Sequence, residues 1–154
     1  YGFNAISVMP TNLYGPNDNF DLENSHVLSA LIRKIHEAKT NNLSELTLWG
    51  SGTPLREFIY VSDLINAIVL LMKSSTIPQI INIGSGEEIS IRELALLIKN
   101  IIGYDGNIRF DISKPDGVKR KFLDSSKIIQ LGYKNEHTLE EGITKTINWY
   151  LKTK

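Results

Sequence analysis

Short apolar stretches rich in β-branched residues alternate along this chain with longer segments that have helical periodicity. Strands are predicted at 3–9, 45–49, 57–61, 80–83 and 107–110. Helices are predicted between and after them, at 26–39, 62–73, 90–102, 124–131 and 138–151. Apolar residues recur at i, i+3 and i+4 in the helical segments, whereas the strand segments are short and bounded by Pro, Gly or polar residues. Strands that alternate with helices favour an α/β fold class.

Local signals mark where several of these helices begin. Ser90 and Glu93 have the spacing of a capping box, and so do Thr138 and Glu141. Ser62 is the predicted N-cap of the 62–73 helix, which is so apolar that we expect it to be buried on most sides. Asp124 is the predicted cap of the short helix after it. Residues 10–24 and 113–121 are predicted loops.

Composition excludes several classes of function. The 154 residues carry 17 acidic and 17 basic side chains, so the formal net charge is zero, unlike most nucleic-acid-binding domains. No stretch approaches the ~20 apolar residues of a membrane span, and the first residues lack the pattern of a secretory leader. The cysteine count is 0, which excludes disulfides and thiolate chemistry within the chain and fits a reducing compartment. The sequence opens inside a predicted strand without Met, so we expect a piece of a longer protein.

The loop after the first strand is a candidate ligand site, because ligands of open α/β sheets bind beyond the carboxyl ends of strands. Residues 10–16 (PTNLYGP) stand there; composition alone favours the alternative, an ordinary strand-to-helix connection with turn residues. His26 follows at the predicted helix start, where it can transfer protons near neutral pH or simply be a polar helix-start residue. We interpret His36 and His137 as surface residues, and three scattered histidines predict no metal site.

Two further segments suit a phosphorylated ligand. Trp49 and Arg56 flank a Gly-rich turn; an aromatic face stacks on planar or sugar groups, and a guanidinium grips phosphate with a fork of donors. The alternative is a hairpin-like turn with a core Trp and a surface Arg. Residues 114–121 (KPDGVKRK) carry four cations, which suit a pyrophosphate or form a solvated charged loop.

Two patterns begin like cofactor motifs without completing them. Gly84 and Gly86 match the first two glycines of a dinucleotide fingerprint, but Ile89 stands where the third belongs. Tyr150 and Lys154 have the spacing of a catalytic Tyr-x-x-x-Lys pair. They lie at the end of the last predicted helix, far from any strand-end loop, and we interpret the match as coincidence.

Taken together, these segments resemble the extended short-chain dehydrogenase/reductase family. The resemblance is carried by Ser7–Phe20, Asn24–Val27, Leu48–Leu64, Ile81–Ala95 and Ser113–Asp124. It is closest to the NADPH-dependent members that epimerise C3 and C5 of GDP-4-keto-6-deoxy-D-mannose and reduce the 4-ketone to give GDP-L-fucose. It implies the C-terminal part of such a fold. Residues 1–25 would be a remnant of the NADP-binding Rossmann domain, and residues 26–154 the smaller substrate-binding domain, with some segments returning to the Rossmann sheet.

The resemblance also implies roles for individual residues. His26 matches the general acid of the epimerisation and lies near the nicotinamide. The residues that match the NADP(H)-contacting loop are Pro10, Thr11, Asn12 and Leu13. The residues that match substrate-binding positions are Lys34, Trp49, Arg56 and Asp116, with Lys121 matching a lysine near the GDP-sugar. Position 34 is Lys where some relatives have Arg, so fork-like phosphate recognition is not expected there.

The family's other catalytic parts have no counterpart in this chain. They are the Gly-rich cofactor loop, the Tyr/Lys pair, the neighbouring Ser or Thr and the epimerisation cysteine. The resemblance therefore implies that the chain alone is inactive and that the full enzyme is a cytoplasmic homodimer without a metal, nucleic acid or membrane partner. Two alternatives stay open. One is another NAD(P)-dependent sugar-nucleotide epimerase or dehydratase, and the other is a non-enzymatic module that binds a nucleotide sugar.

Overall fold

A computed structural model describes residues 5–74 and 79–153 and confirms the α/β class. The strands are β1 (Ser7–Pro10), β2 (Asn12–Tyr14), β3 (Glu45–Trp49), β4 (Leu55–Tyr60), β5 (Ile80–Ile83), β6 (Glu88–Ser90), β7 (Asn107–Asp111) and β8 (Arg120–Lys121). The helices are α1 (Val27–Thr40), α2 (Val61–Lys73), α3 (Ile91–Ile102), α4 (Ser126–Gln130) and α5 (Leu139–Lys152). Within the described ranges, none of these helices has the length and apolarity that a membrane span requires.

The strands form three small sheets, of which the one around β4 matters most for function. β1 pairs with β5, and β3 pairs with β7, both in parallel. The first half of β4 pairs with β6 and β8, whereas its second half pairs in parallel with β2. β4 therefore brings the segments near residues 12, 89 and 121 into one sheet, although they are far apart in the sequence.

Alternate residues of β4 face two separate hydrophobic cores. Phe58 and Tyr60 pack into the larger core with the apolar faces of α1, α3 and α5, which contribute fully buried residues such as Ile35 and Ile98. Ile59 points the opposite way, toward buried residues of α2, β5 and α4. Each fully buried side chain of this size contributes roughly 1.5–3 kcal/mol. Residues of β4 are thus fixed from both faces.

The two predicted capping boxes are confirmed. In each, the Ser90 or Thr138 hydroxyl accepts from the amide three residues on, while the glutamate side chain accepts from the cap's own amide. The predicted cap Ser62 is wrong, because β4 runs directly into α2 and Tyr60 occupies the N-cap without a side-chain bond. Asp124 accepts from the amide of Ser126 at 3.0 Å, one residue outside the N-cap of α4.

Other elements depart from the sequence prediction. β1 begins at Ser7, and the predicted residues 3 and 4 lie outside the described ranges. β2 lies inside the predicted 10–24 loop, and β2, β6 and β8 are too short for an alternating pattern to reveal. The prediction that α2 is buried on most sides is wrong, since Ile65 and Met72 are 52% and 80% exposed. Only one face of α2 packs on the core.

Candidate functional site

A cavity of about 180 Å³ lies between the turn after β3, the start of β4 and the loop before β8. Its lining residues are Val27, Trp49, Gly52, Pro54, Arg56, Ile91, Pro115, Asp116 and Gly117. Three predicted substrate residues, Trp49, Arg56 and Asp116, are therefore brought together. The other lining residues were not predicted as site residues, because Gly52, Pro54, Pro115 and Gly117 look like ordinary turn residues and Val27 and Ile91 like ordinary helix-start residues.

Trp49 offers an exposed aromatic face with cations on it. The side chain is 71% exposed at the end of β3, so the alternative that it is a core residue is wrong. The Nζ atoms of Lys34 and Lys114 lie 5.8 and 5.6 Å from its ring centroid, within cation–π range. The predicted residue Lys34 thus reaches the site through Trp49. A planar group stacked on this indole would also meet positive charge.

Arg56 and Lys121 place two more cations beside the cavity. Arg56 is half-buried, and its Nη1 donates to the carbonyl of Leu55 at 2.7 Å. A Cβ atom at position 117 would lie 3.1 Å from Nη2, so Gly117 lets the loop approach the guanidinium closely. Lys121 is the register partner of Arg56 in the parallel β4–β8 pair. Paired residues project to the same face of a sheet, so both cations serve one surface.

Asp116 shapes the turn that follows Trp49. Its Oδ1 accepts from the Ser51 amide at 2.8 Å, and its Oδ2 accepts from the Ser51 hydroxyl at 2.7 Å. Both bonds lower the pKa of Asp116, the one from the Ser51 hydroxyl more than the one from the Ser51 amide. Gly50 has φ of +82°, and a Cβ there would overlap Oδ1, so the turn requires glycine at this position. Asp116 therefore holds the turn, and its role as a substrate ligand stays a prediction.

The cations of the 114–121 segment go to different partners. Lys114 faces Trp49, whereas Arg120 forms a 2.6 Å ion pair with Glu88 of β6. Lys121 lies next to Arg56. The segment is therefore not one four-cation clamp: Arg120 fixes β8 in the sheet, and the ends of the segment flank the cavity.

His26 occupies the N-cap of α1, directly before the cavity residue Val27. Its backbone is extended (φ −69°, ψ 157°), its side chain is exposed, and it makes no capping bond. The loop that leads to it is ordered by Asp21, whose Oδ1 accepts from the amides of Glu23 and Asn24 at 3.0 and 3.1 Å. These backbone bonds lower the pKa of Asp21. An ordered loop thus presents an imidazole to solvent at the end of a helix that reaches the cavity.

Residues 10–13 lie where β1 ends and β2 begins, against the middle of β4. Thr11 Oγ1 and Asn12 Nδ2 both donate to the carbonyl of Glu57, at 3.2 and 2.6 Å. Thr11 is buried and Leu13 is half-buried, whereas Pro10 is exposed. Within this predicted cofactor loop, Pro10 is therefore exposed, Asn12 and Leu13 are half-buried, and the Thr11 hydroxyl is turned inward to Glu57.

Two buried acidic residues were not predicted from the sequence. Glu57 is fully buried, and Asp63 is 2% exposed. Asp63 Oδ1 lies 2.8 Å from Nδ1 of His137, and its Oδ2 accepts from the His137 amide at 3.2 Å. The interpretation of His137 as a surface residue is therefore wrong, since its side chain is only 16% exposed and is held by Asp63; Lys145 Nζ lies 2.6 Å from its Nε2. The available signal was an acidic residue inside an otherwise apolar strand or helix start.

The two incomplete cofactor motifs have structural explanations. Gly84 packs against the Glu57 carboxylate and Gly86 has φ of +80°, so these glycines serve a tight turn. Tyr150 is 4% exposed and stacks on Phe20 with centroids 4.5 Å apart, while position 154 lies outside the described residues. His36 meets Tyr150 edge-on at 5.7 Å and is half-buried, which corrects its interpretation as a surface residue.

The α/β fold and this cation-rich cavity can be compared with those of known proteins. A family model described as NAD dependent epimerase/dehydratase family matches residues 1–84, and the chain belongs to this family. It is 53% identical over 152 residues to the probable GDP-L-fucose synthase 1 of Oryza sativa subsp. japonica, covering 99% of this chain and 46% of the relative. It is 47% identical over 161 residues to the GDP-L-fucose synthase of Escherichia coli (strain K12), covering 99% and 50%.

A solved structure gives the same match in three dimensions. The GDP-L-fucose synthetase from Naegleria fowleri bound to NADP superposes with a TM-score of 0.89 at 34% identity, covering 96% of this chain and 47% of that one. The resemblance to the extended short-chain dehydrogenases is thereby confirmed. The chain spans about half the length of the curated relatives that it matches.

Proposed function

We propose that the full-length protein converts GDP-4-keto-6-deoxy-D-mannose to GDP-L-fucose by 3,5-epimerisation and NADPH-dependent reduction of the 4-ketone. The observation that carries this proposal is the convergence of Trp49, Arg56 and Asp116 on one cavity, with His26 at the start of an adjoining helix. The similarity to GDP-L-fucose synthases over 99% of the chain supports it.

The cavity supplies binding rather than bond-making chemistry. A diphosphate carries dense negative charge, which the guanidinium of Arg56 meets with paired N–H donors and the neighbouring Lys121 meets with a mobile ammonium. The exposed indole of Trp49 gives a planar or sugar group a surface to stack on, with Lys34 and Lys114 adding positive charge. Binding energy from the nucleotide end would hold the reacting sugar in place.

His26 is the proposed proton donor of the epimerisation. Inverting a carbon next to a ketone requires removal of its proton on one face and delivery of a proton to the enolate on the other. The imidazole is exposed and makes no capping bond, so it is free to face a substrate. The resemblance implies that the opposing base belongs to the part of the enzyme that this chain does not include.

NADP(H) supplies the hydride for reduction of the ketone when it is bound. The fit to this chain is partial: Pro10 is exposed at the carboxyl end of the parallel strand β1, where a cofactor of an α/β sheet would lie. Thr11 and Asn12 are tied to Glu57, so they would hold the loop's shape for the cofactor. We propose that His26 lies near the nicotinamide end.

The proposal extends to the organisation of the whole enzyme. Residues 1–25 would belong to the Rossmann domain and residues 26–154 to the substrate-binding domain. The pairing of β5 with β1 supports the idea that later segments return to the Rossmann sheet. We further propose a cytoplasmic homodimer, and we expect the 154-residue chain alone to lack reductase activity. Sedimentation of the full-length protein tests the dimer, and cell fractionation tests the compartment.

The direct test supplies the full-length protein with NADPH and a panel of nucleotide 4-keto-6-deoxy sugars that differ in base and in sugar configuration. GDP-L-fucose formed from the GDP-mannose-derived ketone is the expected product. Preferential turnover of a UDP or dTDP sugar would instead assign the chain to another epimerase or dehydratase. Tight binding without turnover of any panel member would indicate a non-enzymatic module.

Arg56 provides the test of the cavity. In the full-length protein, Arg56→Ala should weaken GDP binding by about 2–4 kcal/mol, the scale of losing a charge-assisted, partly buried contact. Arg56→Lys should recover only part of this, because it keeps the charge without the fork. Arg109→Ala is the matched control, since Arg109 is exposed on β7 and its ion pair with Glu45 is a loose one, at 4.0 Å. Calorimetric titration with GDP measures all three.

His26→Gln separates the two reactions, because glutamine keeps a hydrogen-bonding side chain but cannot deliver a proton near neutral pH. Epimerisation, followed as solvent deuterium incorporation at C3 and C5, should fall by about 10²–10⁴. NADPH oxidation with an already epimerised ketone should fall less. His36→Gln, on the same helix, is the control. Equal losses in both reactions would assign His26 to binding or folding instead.

A further inference from the structure

Glu57 links three segments around the candidate site. Its Oε1 accepts from the amide of Gly86 at 2.8 Å, and its Oε2 accepts from the amide of Leu123 at 3.1 Å. Its main-chain carbonyl accepts from Thr11 and Asn12, as described above. The side chain is fully buried. One residue therefore connects the predicted cofactor loop, the turn after β5 and the segment that follows Lys121.

The surroundings are built for this carboxylate. A Cβ atom at position 84 would overlap both of its oxygens, so Gly84 is what allows the turn to close over it. Among the described residues, the carboxylate takes part in no ion pair and is bonded by main-chain amides alone. A buried carboxylate is costly unless such bonds satisfy it. An apolar residue would serve packing alone at this position of β4, so the carboxylate acts through the two main-chain bonds that it accepts.

We infer that Glu57 is a positioning residue for the nucleotide-sugar site, an inference that rests on the proposed function. Arg56 precedes it in β4, and Lys121 stands two residues before the bonded amide of Leu123. β8 has only two residues, and its parallel pairing with β4 is correspondingly short. The Glu57–Leu123 bond continues that attachment beyond the strand. It keeps Lys121 in register with Arg56.

The effect of a substitution follows from the chemistry of the side chain. Glu57→Gln keeps the shape but replaces one acceptor oxygen with an NH₂ donor, which must face either Gly86 N–H or Leu123 N–H. One buried donor then loses its acceptor, and the other keeps only a weaker bond to a neutral amide oxygen, so in either orientation the Leu123 N–H bond is lost or weakened and the 119–124 segment loosens. We expect the KM for the GDP-sugar, and the Kd for GDP, to rise about 10- to 100-fold, the scale of one unsatisfied buried donor. The kcat should change by less than about threefold, because no reacting atom is touched.

The experiment uses the full-length protein and has three readouts: steady-state kinetics, GDP titration and hydrogen exchange of residues 84–87 and 119–124. Glu87→Gln is the matched control, since it makes the same change of side chain at an exposed residue next to Gly86. The control should leave all three readouts unchanged. If Glu57→Gln fails to fold, Leu123→Pro removes the bonded N–H from the other side of the same contact, together with the half-buried leucine side chain, and should raise the KM in the same direction. Adding Glu57→Gln to Lys121→Ala should weaken GDP binding little further, because both act on one contact.

The outcomes are distinguishable from failure of the proposed function. A wild-type protein that does not convert the 4-keto sugar contradicts the function, whereas exchange and GDP affinity still report on Glu57. An active wild type whose KM and 119–124 exchange are unaffected by Glu57→Gln overturns the inference. A lowered kcat at constant KM would do the same, because it would indicate a general loss of folded enzyme.

Discussion

Asp63 and His137 form a buried link whose removal should destabilise the protein strongly. Asp63 opens α2, and His137 lies just before α5, so their contact ties two helices that belong to different cores. Lys145 Nζ is 2.6 Å from His137 Nε2 and can only donate. Both contacts are satisfied together by the tautomer in which Nε2 accepts from Lys145 and Nδ1 donates to Asp63 Oδ1, and we assign that tautomer on this ground. The imidazole thus bridges a carboxylate and an ammonium.

The magnitude follows from the bonds lost. Asp63 accepts two bonds from His137, at 2.8 and 3.2 Å, and hydrogen bonds to a charged group contribute about 1.5–3 kcal/mol each. The His137 side chain is 16% exposed, so water would replace part of the hydrogen bonding lost with the Asp63 carboxylate. We therefore expect Asp63→Ala to lower the free energy of unfolding by about 2–4 kcal/mol.

Asp63→Asn should cost less than Asp63→Ala. Its amide oxygen can accept one of the two bonds, but its NH₂ group then faces a second donor. Glu136→Ala is the control, because Glu136 is an exposed neighbour and its loss should stay within about 0.5 kcal/mol.

The assay is urea unfolding of the full-length protein, applied as a double-mutant cycle of Asp63→Ala and His137→Ala. The single substitutions should be coupled by about 1–3 kcal/mol, since they remove the same contacts. Additivity within about 0.5 kcal/mol would refute the link, because it would mean that each side chain stabilises the protein independently. Hydrogen exchange at the start of α5 should rise in both single variants.

Three further predictions concern a turn, a helix cap and the aromatic face. Gly84→Ala places a Cβ against the Glu57 carboxylate and should lower the free energy of unfolding in urea by about 2–4 kcal/mol. The control Gly132→Ala should lower it by only about 1 kcal/mol, because Gly132 has φ of +92° but no atom lies within 4 Å of the added Cβ. Similar losses in the two variants would contradict the clash at position 84. Bonds from the Thr138 amide and hydroxyl lower the pKa of Glu141 below its usual 4.5 in the folded protein. The ionised Glu141 side chain therefore stabilises the folded state above pH 4.5, and this contribution is lost as the pH falls through the lowered pKa. Glu141→Gln should therefore flatten the stability profile between about pH 5 and 3, and an unchanged slope would count against it. Trp49→Ala should weaken GDP binding about tenfold while leaving stability within about 0.5 kcal/mol, because the indole is 71% exposed; a large stability loss would show that it packs.

Sequence patterns predict the helices well because their causes are local. The capping boxes at Ser90 and Thr138 act within one turn, and the apolar spacing of α1 and α3 belongs to a single element. β6 and β8 escaped prediction because each exists only through its pairing with β4. A strand of two or three residues carries no alternation of its own.

The site was predictable only in part, and for a similar reason. The residue types of Trp49 and Arg56 suit a nucleotide, and the resemblance assigned them, but their meeting with Asp116 depends on a loop far along the chain. The bonds from Asp116 to Ser51 could not be foreseen from either segment alone. Burial of Glu57 depends likewise on Gly86 and Leu123, which no local pattern connects to it.

Side chains of β4 alternate between the two faces of the sheet, which explains why neighbouring residues of this strand have different surroundings. Arg56 and Phe58 project to one face, where the first lines the cavity and the second enters the larger core. Glu57 and Ile59 project to the other, toward the Gly86 turn and the smaller core. A slip of one residue in the pairing of β4 would bury the guanidinium and expose the carboxylate. The two cores that fix Phe58 and Ile59 therefore also fix which charge faces the cavity.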